Sequence, residues 1–357
     1  MDVSANIIGI KYTPLLCRKL NAFDLYNLEY ALTKSGSFVL NCGAKDKVAL
    51  SWWVSAKRTR SYPYARVYDT LGAQWRKVTV IPIIKDEGKD GDRDFLQWDT
   101  ISLMSLLGVY VIISYYGNAE RSPRYINKIT NQRFDIDYIK SEIEELLSYH
   151  SDALHWNLSR INKVGDIGKK ALNAYDKIAR KLGVEMHSKV AAEKRVYELI
   201  RGKETFMTLS RDLAKKAQSR ESKTTQPKER LSGIKAALTI KNYLGGYYFF
   251  TCDEVSTLGT KIYLVEGKHS KQNLIPSLED IKDGLIKMIL LTNLKEVKVG
   301  NMEYSGVPIL KLTSSKKFVR KSLKASQKEH LHLLKEEAQT NGFEVWVNDL
   351  NLKQINF

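Results

Sequence analysis

Cysteine is scarce: Cys17, Cys42 and Cys252 are the three in 357 residues. An odd count without any C-x-x-C spacing supports neither a disulfide framework nor a zinc site, and a reducing cytoplasmic setting fits. Long apolar runs are missing too. The longest, residues 101–116, is broken by Ser102, Ser105, Gly108 and Ser114, so no membrane span is expected. The N-terminus lacks a basic segment followed by a long apolar one, which argues against secretion. No internal repeat is evident. Acidic residues are in deficit, 40 against 57 Lys and Arg, for a formal charge of +17. That imbalance points to a polyanionic partner, nucleic acid before membrane.

What is present suffices for ordinary folded domains. A hydrophobic content of 43% excludes a largely disordered chain, and the length accommodates two domains. Near the N-terminus, residues 22–33 read as a helix, and residues 37–42 and 48–54 read as strands. Lys57, Arg58 and Arg60 then sit beside Tyr62 and Tyr64, where they could contact phosphates and stack on bases, or form a solvated loop. Residues 78–84 form a β-like run leading into the densest acidic stretch, with Asp90, Asp92 and Asp94 at the first three spacings of a calcium loop. Phe95 stands where that loop requires glycine, and Ile101 where it requires the bidentate Glu, which argues against calcium. A helix over 96–107 and a strand over 109–115 follow, without an acid-x-lysine element after them.

Residues 136–149 read as an amphipathic helix, with Ile136, Ile139, Ile143, Leu146 and Leu147 facing inward. His150 and His155 lack a third ligand and read as structural or DNA-contacting residues. Residues 160–230 are basic and helical, with Lys169 and Lys170 as phosphate-contact candidates. Residues 219–228 are poor in apolar side chains and carry Pro227, the signature of a linker or mobile loop. Residues 229–244 read as a helix. Further on, residues 307–312 read as a strand, 316–321 as a basic segment with one aromatic, 327–339 as a helix and 343–347 as a closing strand.

The most informative stretch lies between them. Residues 247–252 form an aromatic strand after two glycines, closed by Asp253 and Glu254. A turn at Gly259 leads to the apolar run Ile262, Tyr263, Leu264, Val265, and then to Glu266, Gly267 and Lys268. Side chains alternate along a strand, so Glu266 and Lys268 share a face, and simple hairpin pairing brings Asp253 near Glu266. Two carboxylates converging at a strand end can hold Mg²⁺, and a neighbouring lysine can orient water and neutralise developing charge. Ser277 then reads as the N-cap of a helix over 278–294, with Ile281, Leu285, Met288 and Ile289 on one face. The alternative is a surface hairpin with scattered charges.

The acid, the hairpin and the E-x-K element together resemble the PD-(D/E)XK nuclease motif, with Cys252 in place of its proline. The likeness covers about residues 230–295, with a weaker one around 65–120, and residues 275–285 are similar to a stretch of type II restriction endonucleases. The resemblance implies a mixed α/β (α+β) fold. Its nuclease-like core, a mixed sheet flanked by helices in the order α-β-β-β-α-β, would span 229–357. An N-terminal α/β region over 1–160 would serve DNA recognition, and a basic helical region with a mobile linker would span 161–228. It further implies a Mg²⁺-dependent endonuclease cutting double-stranded DNA at a short sequence. Asp253, Glu266 and Lys268 would be catalytic, with Asp253, Glu266 and Gly267 at the metal. Glu193 or Glu229 could join the metal site, and Glu254 could replace Asp253 as first ligand. Palindromic sites match a homodimer, and a cognate DNA methyltransferase would belong to the same system. A repair or recombination nuclease with the same core, and a non-catalytic nucleic-acid-binding protein, are the competing readings.

Overall fold

The computed structural model describes residues 1–57, 61–200, 234–242, 247–316 and 318–355. The chain is mixed α/β and divides into two compact units, Leu20–Ser210 and a second made of Met1–Lys19 with Arg211–Phe357. This boundary corrects the expected one. The first residues belong with the C-terminal unit because the strand Asp2–Ile7 pairs in parallel with Ile234–Asn242, from Asp2 opposite Ala237 to Ile7 opposite Asn242. Residues 161–200 do not stand apart either. The helix Val164–Leu182 buries Val164, Ile167, Ala171, Tyr175 and Ile178 within the Leu20–Ser210 unit, leaving its lysines on the outer side.

In the Leu20–Ser210 unit a five-stranded sheet runs in the order Ala22–Asp24, Ser37–Asn41, Lys47–Trp52, Arg76–Pro82, Val109–Ser114. Only the Ser37–Asn41 and Lys47–Trp52 pair is antiparallel. The helix expected over 22–33 is shorter, Leu28–Lys34, because the preceding Ala22–Asp24 is drawn into the sheet beside Val39 to Asn41. The acidic stretch is a small hairpin, Ile84–Asp86 against Arg93–Phe95.

The other unit carries the E-x-K element. Six of its strands close on themselves. Asp2–Ile7 pairs with Ile234–Asn242, which pairs antiparallel with Tyr247–Leu258, which pairs antiparallel with Lys261–Ser270. Lys261–Ser270 lies parallel to the long strand Met302–Ser314, which forms a hairpin with Lys295–Val299, and that strand returns to Asp2–Ile7. Closure gives every strand of the ring a neighbour on both sides. Glu344–Val347 adds to the outer flank of the long strand in parallel. The expected mixed sheet takes the form of this closed ring.

The helix expected over 229–244 is instead, in its described part, the strand Ile234–Asn242. Ala236, Leu238 and Ile240 are buried at a spacing of two, the period of a strand. Its parallel partner lies at the other end of the chain, so no local pattern announces the pairing.

Ser277 does cap the next helix, Leu278–Leu291. Its hydroxyl accepts from Asp280 N–H at 3.1 Å while the Asp280 carboxylate accepts from Ser277 N–H at 3.3 Å. Ile281, Leu285, Met288 and Ile289 are buried as the spacing predicts. The helix covers the Lys261–Ser270 and Met302–Ser314 strands, so residues 264–267 are buried in succession. Gly284 allows that approach: a Cβ there would lie 2.7 Å from Leu310 Cδ1 and 3.2 Å from Lys268 Cε. Gly284→Ala should gain about 1 kcal/mol of helix propensity and lose about 1–3 kcal/mol to overpacking. A net loss of stability is expected in urea titrations; a more stable variant would mean that the helix is not pinned at this point.

Candidate active site

The two strands of the hairpin place the acids. Glu254 lies opposite Val265 in the antiparallel register, so Asp253 comes level with Glu266 just beyond the paired segment. There Asp253 Oδ2 accepts a hydrogen bond from Gly267 N–H at 2.8 Å. Asp253 rather than Glu254 is therefore the acid held against the E-x-K element. The strand does not end at Asp253 as the sequence suggested. It runs on to Leu258 because Val255, buried like Cys252, keeps pairing with Leu264.

Glu266 is 3% exposed and sits between two ammonium groups. Lys268 Nζ lies 3.1 Å from Oε1, and Lys287 Nζ lies 2.6 Å from Oε2. Lys268 also reaches Asp283 Oδ2 at 2.7 Å. The result is an alternating row, Lys287, Glu266, Lys268, Asp283. Burial alone would raise the Glu266 carboxyl, but Lys287 and Lys268 outweigh it and hold the group below its ordinary value of 4.5. Burial alone would likewise lower the Lys268 ammonium, yet Glu266 and Asp283 outweigh that and hold it above the ordinary 10.5. Burial, the largest influence, pushes the Cys252 thiol up to about 12, so it packs as a neutral apolar group beside the acid.

Lys287 and Asp283 escaped the sequence reading as site residues. Their spacing of four on one helix places them on the same side, but only the helix lying across the E-x-K strand turns that side toward Glu266. No signal in the strand segment itself points to them.

These shifts set a pH dependence. The depressed Glu266 carboxyl contributes stability above the ordinary carboxylate value of 4.5, lost as pH falls through its folded value. The raised Lys268 contributes fully below 10.5 and loses its share as pH rises through its folded value. Urea midpoints of the wild type and Glu266→Gln should stay a constant distance apart near neutrality and converge below about 4.5. Convergence near neutrality would contradict the charge assignment.

The remaining candidates disperse. Asp94 accepts from Ser55 Oγ at 2.7 Å and lies 3.8 Å from Lys57, Asp90 accepts from Asn127 N–H at 2.9 Å, and Asp86 meets His187 Nδ1 at 2.7 Å. Asp86, Asp90 and Asp94 thus each serve a separate contact. Lys169 pairs with Asp166 at 3.7 Å, and Lys170 stands 5.1 Å over the Tyr138 ring. Glu193 lies 4.0 Å from Lys189 on the helix Lys189–Ile200. Arg58, Arg60 and Glu229 lie outside the described residues.

No family model, curated protein or solved structure matches this chain.

Among the described residues, no group of three or more His, Cys, Asp or Glu side chains is assembled that could hold a metal ion. The set expected from the sequence is smaller: two carboxylates and the Gly267 carbonyl. All of these donors are oxygen, the chemistry Mg²⁺ prefers, with water completing its shell. The Asp253 carboxylate is held on the Gly267 N–H at 2.8 Å. No described helix is long and apolar enough to cross a membrane.

Proposed function

We propose that the chain is a Mg²⁺-dependent endonuclease acting on double-stranded DNA, with Asp253, Glu266 and Lys268 at its centre. The observation that carries the reading is the Asp253 carboxylate on the Gly267 amide, between Glu266 and Lys268. Glu266 is buried and paired with Lys268, and Asp253 is tied to the Gly267 amide between them, a setting where oriented charge is worth more than in water. The excess of 17 positive charges suits a polyanionic substrate.

Asp253, Glu266 and the Gly267 carbonyl would hold the ion. When bound, it supplies Lewis-acid stabilisation of phosphoryl charge and lowers the pKa of a bound water. Lys268 stays protonated because Glu266 and Asp283 hold its ammonium up. It therefore serves as a hydrogen-bond donor that orients the attacking water and offsets charge on the phosphate, not as a general base. Lys287 and Asp283 act through these groups: Lys287 fixes the Glu266 carboxylate, and Asp283 fixes the Lys268 ammonium.

The narrower reading is a type II restriction enzyme in the PD-(D/E)XK superfamily, a homodimer paired with a cognate DNA methyltransferase. Digestion of a sequenced plasmid by the purified chain with Mg²⁺ tests it. Discrete fragments support site-specific cutting, and a smear supports a repair or recombination nuclease. Binding without cleavage supports the non-catalytic reading and overturns the enzyme.

A further inference from the structure

The long strand Met302–Ser314 has a second face. In its parallel register with the E-x-K strand, Gly267 lies opposite Lys311 and His269 opposite Thr313, while Glu266 and Lys268 lie opposite the buried Leu310 and Leu312. The alternation puts Lys311 and Thr313 on the face away from Leu310 and Leu312. With Ser315, Lys316, Phe318, Asn348 and Asp349 they line a cleft of about 430 Å³.

We infer that this cleft is a phosphate subsite, which seats a backbone phosphate of duplex DNA. The inference rests on the nuclease reading for its substrate. Three observations support it.

The first is charge. Among the described residues, neither the Lys311 nor the Lys316 ammonium has an acidic partner, whereas Lys268 and Lys287 are both tied to carboxylates. Asp349 also lines the cleft, but it is exposed at the rim, where water screens its charge.

The second is a built floor. His269 fixes the two hydroxyls, with Nδ1 2.9 Å from Thr313 Oγ1 and Nε2 3.1 Å from Ser315 Oγ. Ser314 Oγ donates to the Asn273 carbonyl at 2.6 Å and accepts from Lys316 N–H at 3.0 Å, which sets the turn carrying Lys316. Asn348 adopts a left-handed backbone, φ 52°, which Asn tolerates better than most residues. That conformation lets its N–H donate to Leu312 O at 2.8 Å while its Oδ1 accepts from Ser314 N–H at 3.2 Å, fastening the rim to the floor.

The third is position. Lys311 is the register partner of Gly267, and Gly267 is the residue that holds Asp253. The cleft thus lies on the strand beside Gly267, about 4.8 Å between strand axes, on the face opposite Glu266 and Lys268. Two ammonium groups and the exposed Ser315 hydroxyl match a phosphodiester, while Thr313, which donates to the Lys268 carbonyl at 3.3 Å, belongs to the floor; Phe318 supplies an apolar edge for the adjoining sugar.

The test is a binding titration of the full chain against a labelled duplex without Mg²⁺, over a range of KCl concentrations. Lys311→Gln/Lys316→Gln should flatten the log–log salt slope by roughly 0.9, the value for the one phosphate that both ammonium groups hold, on every duplex sequence. Lys311→Arg/Lys316→Arg keeps the charge and should keep the slope, which separates charge from folding; melting temperatures of both variants check the fold. Inorganic phosphate should weaken duplex binding by the wild type more than by the Gln variant. Equal weakening would overturn the site, as would an unchanged slope in the Gln variant. Cleavage by the wild type with Mg²⁺ is scored separately. Cleavage with an unchanged slope overturns the subsite and leaves the nuclease reading standing. A flattened slope without cleavage keeps the phosphate site and removes the nuclease reading. A wild type that neither binds nor cuts duplex DNA overturns both.

Discussion

Glu266→Ala is expected to lower folding stability by roughly 3–5 kcal/mol as well as to abolish cleavage. The carboxylate is 3% exposed and is the shared partner of Lys268 and Lys287, whose side chains are 16% and 18% exposed. Removing it leaves two cations facing each other in a poorly hydrated space. Glu266→Gln keeps the shape and one acceptor, so its loss should be smaller. Replacing Glu266, Lys268, Lys287 and Asp283 together by Met should recover much of the stability, because a row of buried charges removed whole costs far less than one broken in half. Urea midpoints of the three variants decide it. A stable Glu266→Ala beside an equally stable quadruple variant would mean that the row of charges is well hydrated and that the burial argument fails.

Asp253→Asn should behave differently. Asp253 is half-buried and accepts a hydrogen bond from Gly267, which an amide oxygen can still accept. The fold and DNA affinity should therefore change little. The rate of the chemical step should fall on the order of a thousandfold or more, because a carboxylate oxygen is lost where metal-supported charge stabilisation is proposed. Single-turnover cleavage beside a binding isotherm separates the two effects. Near wild-type turnover by Asp253→Asn would remove it from the chemistry, and a matching loss of binding would make it a structural residue instead.

The contrast between these variants reflects what local sequence can and cannot express. Asp253, Glu266 and Lys268 were legible because strand alternation and one short turn fix their relation within a hairpin. Ser277 was legible because a cap and its carboxylate lie three residues apart, and the apolar face of the following helix because its period is local. Lys287 and Asp283 were not, since their role depends on the helix crossing the strand at the position Gly284 permits. The strand Ile234–Asn242 was misread for a related reason. Its alternation of Ala236, Leu238 and Ile240 is short, and the pairing that decides it comes from Asp2–Ile7. Ring closure between Lys261–Ser270 and Met302–Ser314 is equally invisible, because parallel neighbours joined through a helix leave no turn signal. The acidic hairpin shows the reverse error risk. Its density of carboxylates invites a site, but the sequence lacks the glycine, the bidentate Glu and the acid-x-lysine element that one would need, and the structure distributes Asp86, Asp90 and Asp94 among His187, Asn127 and Ser55.

The central claim is that hydrolysis belongs to the Asp253–Glu266–Lys268 cluster and not to that acidic hairpin. Its most direct test is the single-turnover rate of Asp253→Asn and Asp94→Asn, measured side by side on prebound duplex DNA with Mg²⁺. The account predicts a loss on the order of a thousandfold for Asp253→Asn and a rate near wild type for Asp94→Asn. The opposite pattern, with Asp94→Asn inert while bound and folded and Asp253→Asn active, would contradict it and move the site to the Leu20–Ser210 unit.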